Sequence, residues 1–333
     1  MDADRTQSTT APGNLLTGGA GSSGPPSAET TTLAWNPAEN GQPAPRLGED
    51  CWFLSGPTAS GKSALAIPLA RRLNAEIVSV DSMAVYRGLD VGTAKPTAAQ
   101  RDAVPHHVVD VIPAAEPYSV AQWLEDASRA VADCRSRGRG ILFVGGTPLY
   151  LRALRDGLAP LPPANPDLRH RLGEEAAACG PEVLHERLMG IDPASAARIH
   201  PRDAKRIIRA LEVAETSGRP LSQAFAPAAH PLFESRLMIV DLPRAVLYDR
   251  IDRRVERMFA AGLIEETRAA LAAPGGIGPT ARQAAGYAEA IDLIESRVDL
   301  ADAIRRTQQR TRQLAKRQLT WLRSFSSATW IAS

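Results

Sequence analysis

Four short apolar runs, each ending in an abrupt change of polarity, divide the first half of the chain. They are Cys51-Trp52-Phe53-Leu54, Ile77-Val78-Ser79-Val80, Val108-Val109-Asp110-Val111 and Ile141-Leu142-Phe143-Val144. Each is one strand long and rich in β-branched or aromatic residues, and helix-length stretches lie between them. The first run gives way to the helical spacing Leu65, Leu69, Leu73. Such alternation predicts an α/β fold, a parallel sheet flanked by helices. A fifth run, Leu237-Met238-Ile239-Val240, follows only after a long gap. Helical patterns at 169–178, 182–189 and 204–216 fill that gap, bounded by Leu158-Ala159-Pro160-Leu161-Pro162-Pro163 and a Pro-rich stretch at 226–231. The economical reading is one core, residues 47–159 and 235–333, interrupted by a helical insertion at 160–234. Three helical segments are expected after the last strand.

Composition changes this picture at the N-terminus and near the C-terminus. In residues 1–46, 23 of 46 are Gly, Pro, Ser or Thr without periodicity, which predicts a disordered tail. Across all 333 residues, 39 Lys and Arg face 37 Asp and Glu, so a polyanion would have to be met by a local patch. Residues 303–323 supply one: Arg305, Arg306, Arg310, Arg312, Lys316, Arg317 and Arg323 occur with no acidic residue. Gln308, Gln309, Gln313, Gln318 and Trp321 are interleaved, a pattern suited to phosphate and base contacts. Cys51, Cys134 and Cys179 are too scattered for a disulfide framework or zinc cluster, which fits a reducing, cytoplasmic setting. Neither a signal peptide nor a membrane span is expected. His106 and His107 have no accompanying ligand cluster in sequence and read as turn or backbone contacts, while Tyr86 and Trp123 read as core or cleft aromatics.

The strongest local chemistry is Gly56-Pro57-Thr58-Ala59-Ser60-Gly61-Lys62-Ser63, directly after the first strand. This is P-loop spacing: backbone N–H groups and a helix N-terminus surround a phosphate, Lys62 adds a movable charge, and the Ser63 hydroxyl would hold Mg2+. Pro68 should bend the following helix. Asp81 and Asp110, on the second and third runs, are candidate magnesium carboxylates. Asp81 and the Gly145-Gly146-Thr147 turn should stand over the loop at the carboxyl ends of their strands. Diphosphate is specified; ATP is not.

Further segments carry a resemblance. They are Val80-Asp81-Ser82-Met83-Ala84-Val85-Tyr86-Arg87, Gly92-Thr93-Ala94-Lys95-Pro96, Pro105-His106-His107, Arg206-Ile207-Ile208-Arg209-Ala210-Leu211-Glu212, Gln283-Ala284-Ala285-Gly286-Tyr287, and the run from Thr311 to Arg323. With the phosphate loop, and in this order, they resemble the bacterial tRNA dimethylallyltransferase family over nearly all of residues 51–323. The resemblance implies a P-loop NTPase-like sheet and transfer of a dimethylallyl group from dimethylallyl diphosphate to N6 of the adenine 3′ of the anticodon in tRNA. Diphosphate would be released, with Mg2+ and without ATP.

By the same resemblance Gly56 to Ser63 would bind the diphosphate, Asp81 would be the general base, and Thr147 and Lys62 would assist departure of the leaving group. Arg250 and Arg254 would close on it. Contacts to tRNA are implied for Asp81, Ser82, Met83, Ala84, Thr147, Arg169, Lys205, Arg206, Arg209, Gln283, Tyr287, Lys316, Arg317 and Arg323. The insertion would clamp the RNA, and the enzyme would be a monomer. Two positions depart from the family: Ala84 stands where many members have glutamine, and Ala288 where a basic residue is common. The alternative left by the loop alone is a small-molecule kinase using ATP.

Overall fold

The computed structural model describes residues 51–159, 161–224 and 236–332; the expected tail at 1–46 and the Pro-rich stretch at 226–231 lie outside the described residues. Its strands are β1 (Cys51–Ser55), β2 (Ala75–Val80), β3 (Tyr86–Arg87), β4 (His106–His107), β5 (Ile112–Pro113), β6 (Gly140–Gly145), β7 (Leu237–Asp241) and β8 (Thr329–Ala332). Six of them form one sheet in the order β4-β2-β6-β1-β7-β8, every pair parallel, and β3 pairs with β5. The helices are α1 (Lys62–Arg72), α2 (Ala98–Ala103), α3 (Val120–Ser136), α4 (Pro148–Asp156), α5 (Pro166–Cys179), α6 (Pro181–Ile191), α7 (Pro193–Ala196), α8 (Ala204–Ser217), α9 (Leu221–Ala224), α10 (Arg244–Ala260), α11 (Leu263–Ala272), α12 (Tyr287–Ile294) and α13 (Leu300–Leu322).

The strands are apolar on both faces because both faces are covered. Phe53, Val78 and Phe143 enter one cluster, with Trp123 of α3 and Tyr150 of α4. Their neighbours Leu54, Ile77 and Leu142 enter another, with Ala66 and Ala70 of α1. The Phe53 and Phe143 rings stack at 5.2 Å. Helices α5 to α9 enclose an apolar cluster of their own, including Leu168, Leu172, Leu184, Leu188 and Leu211.

Three expectations are corrected. The run 108–111 is not a strand: Val108 and Asp110 have φ of 57° and 58°, and the preceding His106–His107 makes the sheet pairing instead. Asp110 is no magnesium carboxylate, since it binds Lys95 at 2.5 Å and Arg101 at 2.7 Å. After β7 come four helices, not three, and the chain returns as the edge strand β8. Helix α1 continues through Pro68.

Candidate active site

Strand β1 delivers the chain at Ser55 into a loop whose backbone turns through left-handed values, with φ 63° at Ala59 and 96° at Gly61. The value at Ala59 stores strain in a non-glycine residue, a cost that tight anion-binding turns commonly carry. Gly61 caps α1 without a side-chain hydrogen bond, so the first amides of the helix are left for a ligand. The buried Ser60 hydroxyl has no hydrogen-bond partner among the described residues. Lys62 folds back and donates to the Pro57 carbonyl at 2.8 Å, and Ser63 is exposed in the first turn of α1. Burial pushes the Lys62 ammonium down to about 8; Arg254 adds to the effect and Asp81 opposes it.

Asp81 follows β2 directly, as strand-end placement requires, and accepts from the Met83 N–H at 2.8 Å. Thr147, at the start of α4, accepts from the Ser82 N–H at 3.0 Å and donates its own N–H to the Val80 carbonyl at 3.1 Å. These bonds lock the two strand-end turns together. Gly145 permits the approach, since a Cβ there would lie 2.2 Å from the Val80 oxygen. From α10, Arg250 donates to the Ser60 carbonyl at 3.4 Å, and partly buried Arg254 has its pKa lowered by burial while Asp81 opposes the shift. Lys62 and Arg254 therefore both face the Asp81 carboxylate, and with Arg250 at the Ser60 carbonyl they leave an excess of positive charge around the loop.

Sequence reasoning missed Gln318. Its carboxamide accepts from the Thr58 N–H at 2.8 Å and donates to the Gly146 carbonyl at 2.8 Å. The Thr58 amide, expected at the phosphate, is thus already paired; the signal, a glutamine among cations on α13, was legible only as RNA-facing.

The basic stretch splits in three dimensions. Arg305 and Arg306 pair with Asp302, Arg310 with Glu289 at 3.1 Å and Arg312 with Asp252 at 2.5 Å. Lys316, Arg317 and Arg323 are exposed and make no ion pair among the described residues. Beside them is a cleft of about 560 Å³ lined by residues including Gln283, Gln309, Arg310, Gln313 and Arg317, and another of about 410 Å³ involving Lys316 and Trp321. Two expected RNA contacts lie in the interior: Tyr287 is 0% exposed, with its hydroxyl on Glu266 at 2.6 Å, and Ala84 is buried. Arg169 and Arg209 remain on the surface of the helical segment, but both bind the buried carboxylate of Glu212. Lys205 and Arg206 are exposed at the start of α8.

At the opposite ends of the strands, His107, Glu76 and Cys134 bring ligating atoms within 4.8 Å of one another, correcting the expectation that His107 stands without such a cluster. His107 binds Glu76 at 2.7 Å, and Arg137 takes both Glu76 oxygens. Burial and Glu76 push the Cys134 thiol up to about 12. Arg137 occupies both carboxylate oxygens and the thiol is pushed toward its protonated form, so the described side chains hold the group together as an ion-pair network. His106 bonds the Val104 carbonyl, and Tyr86 and Trp123 are core residues, as expected.

A family model described as IPP transferase matches residues 84–325, and one described as isopentenyl transferase matches 49–106. The chain belongs to the tRNA isopentenyltransferase (dimethylallyltransferase) family. It is 51% identical over 281 residues to a tRNA dimethylallyltransferase of Anaeromyxobacter sp. (strain Fw109-5), covering 84% of this chain and 93% of the relative. Against the family member from Geobacter metallireducens it is 45% identical over 282 residues, covering 84% and 91%. The solved tRNA isopentenylpyrophosphate transferase of Bacillus halodurans is 38% identical with a TM-score of 0.60, covering 86% of this chain and 90% of that one. A eukaryotic dimethylallyltransferase acting on tRNA superposes with a TM-score of 0.68 at 27% identity, covering 84% and 73%. The family thus shares the parallel-sheet fold described above. Among the described residues no helix is long and apolar enough to cross a membrane.

Proposed function

We propose that the chain transfers a dimethylallyl group from dimethylallyl diphosphate to N6 of the adenine 3′ of the anticodon in tRNA, releasing diphosphate. The observation that carries this reading is the convergence of Lys62, Arg254 and Asp81 at a phosphate loop whose buried Ser60 hydroxyl has no partner among the described residues. Such a cleft suits an anion that becomes more charged as it leaves, beside a base that accepts a proton. Nothing among the relatives favours the kinase alternative.

In the reaction the N6–C bond forms as the C–O bond to diphosphate breaks. The bonding pair leaves on the diphosphate oxygen, and one N6 proton passes to Asp81. The loop residues Gly56 to Ser63 hold the diphosphate, and Lys62, Arg250 and Arg254 neutralise it. Thr147 steadies the Ser82 turn and assists the leaving group. The Ser63 hydroxyl is an oxygen donor of the type Mg2+ prefers, and the ion would supply charge neutralisation at the diphosphate. Lys316, Arg317 and Arg323, with Gln283, Ser82 and Met83, would face tRNA; Lys205, Arg206, Arg169 and Arg209 would meet it from the helical segment 160–234, acting as a clamp. A monomer in a cytosolic setting completes the reading. Incubation of tRNA with dimethylallyl diphosphate, followed by mass spectrometry of the nucleosides, tests it: dimethylallyladenosine is expected, whereas phosphoryl transfer from ATP without prenylation would overturn it.

A further inference from the structure

We propose that Gln318 is a positioning residue that couples RNA docking to the grip on the donor diphosphate, an inference that rests on the reading of loop and helix given above. Its side chain is 7% exposed and spans three segments distant in sequence: the loop after β1, the turn after β6, and α13. Both ends of the carboxamide are used, so its orientation is set: oxygen toward Thr58, nitrogen toward Gly146. Gly146 is essential to the contact, since a Cβ there would stand 2.7 Å from the Gln318 nitrogen and 2.7 Å from the Gly56 oxygen.

In the same helical turn Lys316, on the far face, and Arg317, beside it, are exposed. One helix therefore offers cations outward and a hydrogen-bonding amide inward to the diphosphate loop. A second tie reinforces the first. Arg312 of α13 pairs with Asp252 of α10 at 2.5 Å, and α10 carries Arg250 and Arg254. Both halves of the diphosphate grip are thus bonded to the helix that bound RNA would hold in place. Buried hydrogen bonds have narrow distance ranges, so a shift of α13 must be followed by Thr58 or break the bridge. Gln318 touches neither reacting atom; it acts through the Thr58 amide and the turn bearing Thr147.

The experiment is calorimetry of dimethylallyl diphosphate binding, with and without a saturating anticodon stem-loop carrying inosine for the target adenosine, which removes the reactive amine. In the wild-type chain the RNA should tighten donor binding about 5- to 100-fold. Gln318→Leu should abolish most of that factor while leaving RNA affinity alone within about twofold, a ratio that a merely structural residue would not move. In the wild-type chain itself, RNA alone should slow hydrogen exchange in residues 56–63, a readout independent of how any variant folds. Equal coupling in wild type and Gln318→Leu, or exchange in 56–63 indifferent to RNA, overturns the proposal. A wild-type chain that binds neither donor nor RNA overturns the functional reading instead.

Discussion

Lys62 makes the diphosphate site a pH-dependent one. Burial and Arg254 lower its ammonium from 10.5 to about 8, so the unliganded enzyme loses this positive charge within an accessible pH range. Bound diphosphate adds negative charge beside it and raises the pKa again, so the ligand favours the protonated form. If only that form binds well, the apparent Kd scales as one plus ten to the power of pH minus pKa. Between pH 7 and pH 9 the expected weakening is about 10-fold, or about 1.4 kcal/mol. A lysine at its ordinary value would give almost no change over the same interval. The assay is calorimetry with dimethylallyl diphosphate alone, whose own phosphate titration lies near 6 and is mostly complete at pH 7; its remainder adds charge with rising pH and so opposes the expected decline. Lys62→Arg keeps its charge throughout and should bind with a flat pH profile, which separates the lysine from other titrating groups. The reasoning fails if wild-type affinity is unchanged to pH 9, or if Lys62→Arg shows the same decline.

Asp81→Asn should lower turnover by about 10²–10⁴-fold while calorimetric donor and RNA affinities change little. Loss of magnesium-dependent donor binding, restored by added magnesium, would instead make Asp81 a metal ligand. Replacing Lys316, Arg317 and Arg323 together by alanine should flatten the salt dependence of tRNA binding by about one unit of slope per lost contact. Arg312→Ala should leave that slope close to wild type in the same filter-binding titration, because Arg312 spends its charge on Asp252. Glu76, held down at about 2 chiefly by Arg137, should contribute on the order of 3 kcal/mol above pH 4.5 and lose it as the pH falls toward 2. Urea titrations across that window should show a loss larger by about that amount in wild type than in Glu76→Gln, which is less stable at pH 7 and keeps only the losses of other carboxylates such as Asp110 and Glu212; parallel curves would refute the assignment.

The phosphate loop, Asp81 and the main strands were legible in sequence because their signals are local. A glycine spacing sets a turn, and four consecutive apolar residues between helices demand a covered sheet. The helices at 169–178, 182–189 and 204–216 followed from the same periodicity, and appear as α5, α6 and α8. The run at 108–111 misled because apolar content says nothing about φ: Val108 and Asp110 turn left-handed, and pairing falls to the two histidines before them. Strand β8 was missed because four exposed or half-exposed residues at a sheet edge bear no buried pattern. The charge run failed differently. Its missing acidic partners are supplied by Asp252 and Glu289 from other helices, and by Asp302 one residue before the counted stretch. Tyr287 reads as a contact residue in its motif, yet Glu266 and the core claim it. Gln318 shows the limit most plainly: its partner at Thr58 is 260 residues away, and only the folded sheet, by placing the first strand beside β6 so that α13 meets the turns after both, makes an ordinary polar helix position a bridge across the site.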